Sequence, residues 1–452
     1  MIACGRERRA QDLLPAIDRV FELSAAKLRS IEDSWDPADG APVFTVDGRY
    51  RARGWTEWTQ GFQFGSALLQ FDATGEREFL ALGRSRTIGR MAPHVTHTGV
   101  HDHGFNNVST YGTLWRLAEE GRFDAEGELP LYELALKASG AVQAARWTTI
   151  AAGGFIHSFN GPHSLFVDTI RTLRALALGH LLGHVLLQEQ DVRVSLLDRL
   201  ISHARATAEF SVYYGRGRDV YDVRGRVAHE SLFNAVSGSY RGPATQQGYS
   251  PFTTWTRGLA WAMLGFAEQI EFLESIGRVE PFMIDAVSAT CDYYIEISPA
   301  DGVPYWDTGA PGLAALGDWG SRPADPFNDV EPVDSSAAAI AAQGLLRFGR
   351  WLSSRGRDGT RYTQAGLLIL DRLFDPAGPY LSASPAHQGL LLHSIYHRPG
   401  GWDHVPAGAR TPRGESSMWG DYHAREAALY VQRLCRGPYL TFFGSARARV
   451  GA

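Results

Sequence analysis

Hydrophobic and polar positions along this chain alternate between two kinds of helix. Residues 165–189 are apolar nearly all round, with Ala175, Ala177, Gly179 and Gly183 permitting close approach, and predict an interior helix. Residues 191–210 instead place Leu197, Leu200, Ile201, Ala204 and Ala208 on one stripe, with Arg199, His203, Arg205 and Glu209 away from it. That pattern predicts an outer, half-exposed helix. The alternation recurs downstream: 255–272 reads as interior and 279–296 as amphipathic. Residues 334–348 read as interior, with Asp334 and Ser335 placed as N-caps, and 360–374 as the outer partner. Further helices are predicted near 10–31, 61–72, 106–121, 132–148 and 415–434.

Inner and outer helices in succession predict an all-α fold, a closed ring of helical hairpins. The connections at 45–58, 90–105, 149–164, 236–254, 300–330 and 376–414 are too long for a simple bundle, and long loops on a rigid scaffold are where sites are built. No low-complexity linker divides the chain, so one domain over 1–452 is expected.

Composition narrows the function. With 452 residues, 44% hydrophobic and 21% charged, the chain can bury a large core. A net charge of −5 lacks the basic footprint of a nucleic-acid binder. Cys4, Cys291 and Cys435 are odd in number and far apart, so neither a disulfide framework nor a paired metal site is expected, and a cytoplasmic location is. No run of ~20 apolar residues predicts a membrane span. Twelve tryptophans suit either a large core or a cleft that stacks sugar rings.

Several segments carry candidate chemistry. His94, His97, His101, Asp102 and His103 cluster in one loop; the i, i+4 spacing of His97 and His101 admits a metal, and a polar loop bracing backbone groups is the alternative. Asp168 begins the most apolar helix, where a carboxylate is either a cap or a catalytic acid with apolar neighbours. Arg257, between Trp255 and Trp261, either forks onto a ligand or pairs with a carboxylate. The segments at 303–312, 333–340 and 418–423 read equally as turns and helix starts. There is no P-loop, dinucleotide fingerprint or G-x-S-x-G elbow.

Taken in order, these segments resemble the unsaturated glucuronyl hydrolases, glycoside hydrolase family 88. The resemblance is carried by Trp58-Thr59-Gln60-Gly61-Phe62, His101-Asp102-His103-Gly104-Phe105, Val167-Asp168, Trp255-Thr256-Arg257-Gly258-Leu259-Ala260-Trp261, Val303-Pro304-Tyr305-Trp306-Asp307, Asp334-Ser335-Ser336-Ala337-Ala338 and Gly420-Asp421-Tyr422. It spans roughly 55–430. It implies an (α/α)6 barrel of six inner and six outer helices. It also implies hydration of the C4=C5 double bond of an unsaturated uronic acid left by a polysaccharide lyase: water adds at C5, the hemiketal opens and the glycosidic link breaks.

By the same resemblance Asp168 is the acid/base, and Asp102 binds sugar hydroxyls and helps set the proton state of Asp168. Arg257, Trp255 and Trp261 position the ring, with Gln246, Gln247, Phe159, His229 and Gln63 also lining the pocket. No metal or cofactor is implied, and the partner is an oligosaccharide, with neither nucleic acid nor membrane; the chain is expected as a monomer or homodimer. Departures from the family pattern bear on substrate. Gln246-Gln247-Gly248-Tyr249 stands where His-Gln-Gly-Tyr is usual, Gln63 and Phe159 stand where Trp is usual, and Ile170-Arg171-Thr172 replaces Met-Met-Asn. The alternative reading is a related uronidase, lyase or epimerase on a different, even saturated, sugar.

Overall fold

In the computed structural model, residues 1–3, 7–54, 57–125 and 127–444 are described; Cys4 lies outside them. The helices are α1 (Leu14–Ser34), α2 (Gln60–Thr74), α3 (Arg77–Arg90), α4 (Ala92–Val95), α5 (His103–Asn106), α6 (Thr113–Glu119), α7 (Leu129–Ala145), α8 (Thr169–Thr172) and α9 (Arg174–Leu181). They continue as α10 (Leu196–Phe210), α11 (Thr256–Ser275), α12 (Pro281–Ile297), α13 (Ser335–Ser354), α14 (Thr360–Phe374) and α15 (Met418–Arg436).

Packing sorts these helices into two sets. α2 lies against the segment running from α5 to α6, α5 against α8, α8 against α11, α11 against α13, α13 against α15, and α15 again against α2. The remaining long helices cover them: α3 on α2, α7 and α10 on α9, α12 on α11, α14 on α13, and α1 on α15. The inner helices α11 and α13 are buried along nearly their whole length. The outer α14 buries one stripe only, as its pattern predicts. The main apolar core draws on residues from Ile2 to Phe443, and a smaller cluster of Ile150, Phe155, Leu165, Ala206 and Phe233 lies apart from it.

The expected helices at 255–272, 279–296, 334–348 and 360–374 form within a few residues of their predicted ends. Asp334 caps α13, accepting from the Ser336 and Ala337 N–H groups. Three differences have local causes. The interior helix expected over 165–189 is short. The chain enters it as a strand (Ser164–Phe166) and leaves it at Gly183, whose positive φ of 76° lets His184 N–H reach the Gly179 carbonyl in a Schellman turn. The helix expected over 106–121 is interrupted by a π-helical turn at Val108–Gly112. Finally, α3 was not expected, because its buried positions include Gly83 and Thr87, which carry no apolar signal.

The chain is mainly helical, as expected, with a few short strands in its loops. The long loops fold into four small antiparallel sheets, since their backbone groups need partners once packed against helices. These are β1 (Pro42–Val46) with β2 (Arg49–Ala52), β3 (Trp147–Ile150) with β4 (Gly153–Ile156), and β6 (Val185–Leu187) with β7 (Arg193–Ser195). The fourth sheet, β5 (Ser164–Phe166), β8 (Glu230–Phe233) and β9 (Tyr240–Ala244), matters most for the site. Its register pairs Phe166 with Glu230 and Glu230 with Ala244, drawing residues near 167, 229 and 246 to one edge.

Candidate active site

A cleft opens between the first inner helices and the 376–414 loop, lined by Trp58, His101, Trp255, Trp261, Tyr396 and Trp402. Asp102 and Asp168 face into it. Asp102 occupies the N-cap position of α5 and Asp168 that of α8, yet neither side chain makes a cap bond. The capping reading of Asp168 therefore fails: its carboxylate turns toward His101. Gly104 permits this convergence. A side chain there would lie 2.3 Å from the Thr172 carbonyl oxygen, so only glycine lets the Asp102 loop press against α8 and α9.

His101 joins the two aspartates. Its Nε2 lies 3.2 Å from Asp168 Oδ1 and 3.7 Å from Asp102 Oδ1, with all three side chains buried. These distances keep the carboxyls inside the ~10 Å span of glycosidase acid pairs. Burial alone would lower the His101 pKa, but the two carboxylates outweigh it and hold the imidazole above its ordinary 6.5. Burial raises Asp102, helped by the Asp168 charge and opposed by His101. For Asp168, burial is outweighed by His101, both as a charge and as a hydrogen-bond donor, and by His229, so its pKa falls below the ordinary 3.8. The site thus favours a proton on His101 over one on Asp168, and burial draws Asp102 upward from the ordinary carboxylate range.

Aromatic rings wall this floor. Phe159 stacks on His101 at 6.0 Å and meets Phe166 edge-on at 5.2 Å. Trp261 packs against Phe105 and His423. Trp58 stacks on Trp419 at 5.0 Å. Both Trp255 and Trp261 reach the cleft, as do Gln246, Gln247 and Phe159. His229 lies just behind it, its ring against Phe166 (4.6 Å) and Trp255 (4.7 Å). Its Nδ1 accepts from the Gln246 N–H at 3.1 Å, so it shapes the glutamine turn. Burial lowers its pKa to about 4 and keeps it neutral.

Two expected site residues take other places. Gln63 is absent from the cleft: it bonds Gln60 and lines a separate groove beside Leu28 and Met418, because α2 turns that face outward. Arg257 does border the cleft, but its guanidinium is committed to the protein. It donates to Asp334 at 2.8 Å, to the Gln247 amide oxygen at 2.9 Å, to the Tyr396 carbonyl at 2.7 Å and to the Ile395 carbonyl. It also lies over the rings of Trp255 (4.6 Å) and Trp419 (5.0 Å). The carboxylate-pair reading of Arg257 is the one realised, and it holds the cleft wall together.

The remaining histidines brace the loop. His94 contacts Asn106, and His103 contacts Ser139 and the His97 carbonyl. Asp421 accepts from Tyr50 and from the Leu390 and Leu391 N–H groups, pinning the β1–β2 hairpin and the 376–414 loop to α15. Arg171, where the family pattern has an apolar residue, lies beneath the site in a buried network with Glu268, Glu426 and His423. Sequence reasoning missed Tyr396, His397 and Trp402, which close the cleft from the 376–414 loop. The loop's length was the available signal; its aromatic content was not weighed.

No family model matches the chain. Similarity to individual proteins covers nearly all of it. An unsaturated glucuronyl hydrolase of Bacillus sp. (strain GL1) is 25% identical over 429 residues, 92% of this chain and 96% of that protein. An unsaturated chondroitin disaccharide hydrolase of Streptococcus pyogenes serotype M1 is 26% identical over 424 residues, covering 91% and 90%. Among solved structures, an unsaturated glucuronyl hydrolase specific for heparin superposes with a TM-score of 0.73 at 18% identity, over 94% of this chain and 99% of that one. The resemblance to unsaturated glucuronyl hydrolases is borne out, as is the expectation of an enzyme of the glycoside hydrolase type. Among the described residues, no helix is long and apolar enough to cross a membrane.

Proposed function

We propose that this chain hydrolyses unsaturated uronic acid-containing oligosaccharides, such as those polysaccharide lyases release, by hydrating the C4=C5 double bond. The observation that carries this reading is the placement of His101 between Asp102 and Asp168 at the floor of a tryptophan-lined cleft. We read the two packed sets of helices as an (α/α)6 barrel and the chain as one cytoplasmic catalytic domain over 1–452.

In this scheme Asp168 delivers a proton to C4 and takes one from the water that attacks C5. Ionised Asp168 in the free enzyme must first be protonated. A buried neighbour holding a proton 3.2 Å away supplies it: His101 Nε2–H passes its proton when the substrate displaces water and raises the carboxylate pKa. Asp102 binds a sugar hydroxyl and, as the second carboxylate beside His101, helps set the proton state of Asp168. Trp255, Trp261 and Phe159 provide the faces on which the ring lies.

The test is a time course at 235 nm with unsaturated disaccharides from chondroitin, hyaluronan, heparin, ulvan and gellan lyases. Hydration removes the conjugated chromophore. A rise in absorbance on any of the parent polysaccharides, or turnover of saturated uronides alone, would favour the lyase or uronidase reading.

A further inference from the structure

We infer that Asp47, His404 and Glu415 form a binding site for a divalent transition-metal ion of the zinc class, on the outer side of the cleft wall and apart from the catalytic residues. The three residues come from three segments. Asp47 sits at the tip of the β1–β2 hairpin, where Asp47-Gly48 has φ of 49° and 74°, the double positive φ of a two-residue type I′ turn. His404 belongs to the 376–414 loop, and Glu415 precedes α15. One ligand atom from each lies within 4.8 Å of the other two.

The donor set fits zinc, as does the separation of the histidine and aspartate ligand atoms. His404 Nε2 stands 3.3 Å from Asp47 Oδ1. Zinc binds imidazole nitrogen and carboxylate oxygen at about 2.0–2.2 Å, which sets neighbouring ligand atoms of a tetrahedron roughly 3.3–3.6 Å apart. A second histidine borders the group: His387 Nε2 lies 3.5 Å from Glu415 Oε2. Glu415 is held in place by the Thr45 hydroxyl and the Gly48 N–H. Mixed nitrogen and oxygen donors favour Zn²⁺ over the hard cations Mg²⁺ and Ca²⁺, which select oxygen alone.

An ion there would tie the cleft-closing loop to the hairpin. Trp402 stands two residues before His404, and Asp403 accepts from the Tyr396 and His397 N–H groups. The assignment is independent of what the enzyme turns over. The experiment is calorimetric titration of chelator-treated full-length protein with ZnCl₂, with Co²⁺ absorption as the readout of coordination geometry. One equivalent should bind, with tetrahedral cobalt bands, and raise the thermal midpoint. His404→Ala and Asp47→Ala, at partly and largely exposed positions, should weaken binding about tenfold or more and abolish the midpoint rise. Absence of a saturable one-to-one isotherm, or binding unchanged in both variants, overturns the assignment.

Discussion

Removing Arg257 tests how the cleft is built. In Arg257→Ala, Asp334 is left as a fully buried carboxylate without its cation, and the Ile395 and Tyr396 carbonyls lose their donor. Breaking a buried pair from one side costs about 3–5 kcal/mol. Asp334 still accepts from Ser336 and from the Ala337 N–H, so the lower end, about 3 kcal/mol, is expected. That is roughly two decades in the unfolding equilibrium. Urea unfolding followed by tryptophan fluorescence should show a clearly lower midpoint, and KM should rise as Tyr396 and the Gln247 side chain lose their anchor. Asp334→Asn separates the two effects. It weakens the ion pair but leaves the Arg257 bonds to Gln247 and Tyr396, so the midpoint should fall while KM stays near wild type. Arg257→Lys should rescue little, because one ammonium cannot span four acceptors set around a planar fork. An Arg257→Ala enzyme with an unchanged midpoint and a raised KM would refute this account and return the guanidinium to the substrate.

Asp168→Asn should lower kcat by about 10²–10⁴-fold with little change in the urea midpoint, since the side chain makes no cap bond; near-normal turnover would remove it from the chemistry. The rate–pH profile should fall on the alkaline side above 6.5, where His101 loses the proton it passes to Asp168. The stability contributed by His101 is likewise complete below 6.5 and lost as pH rises through its raised pKa, whereas that from Asp168 is complete above 3.8 and lost on acidification. His101→Gln should flatten the alkaline limb, and an unmoved limb would assign it to another group. Gln63→Ala should leave KM unchanged, because Gln63 lies outside the cleft; a raised KM would contradict its placement.

Helices announced by their own periodicity were legible in the sequence, and those that bury small or polar residues were not. α13 could be placed from its alanine run and from Asp334, while α3 hid its buried face in Gly83 and Thr87. The same distinction governs the site. Asp102 and Asp168 stood out as carboxylates beside apolar segments, and the family resemblance ordered them. That His101 would lie between them depends on Gly104 packing against Thr172, a contact across 68 residues that no local pattern records. The partner of Arg257 was equally remote: Asp334 lies 77 residues away. Side chains whose roles depend on such distant partners look the same in sequence whether they serve a ligand or the scaffold.

The ring of inner helices closes only when α15 meets α2, and the cleft takes its lining from early and late segments of the chain alike. The residues we propose to handle protons lie between 101 and 168, whereas Tyr396, His397 and Trp402 come from the last quarter of the chain. Reactivity and selectivity are therefore inherited on different stretches of polypeptide. Exchange of the 376–414 segment between related chains can redirect such an enzyme toward another sugar without touching its acid–base apparatus. Activity, conversely, becomes a reporter of topology: a chain truncated before the 376–414 loop keeps both aspartates, yet it has no opposite wall against which to hold a ring.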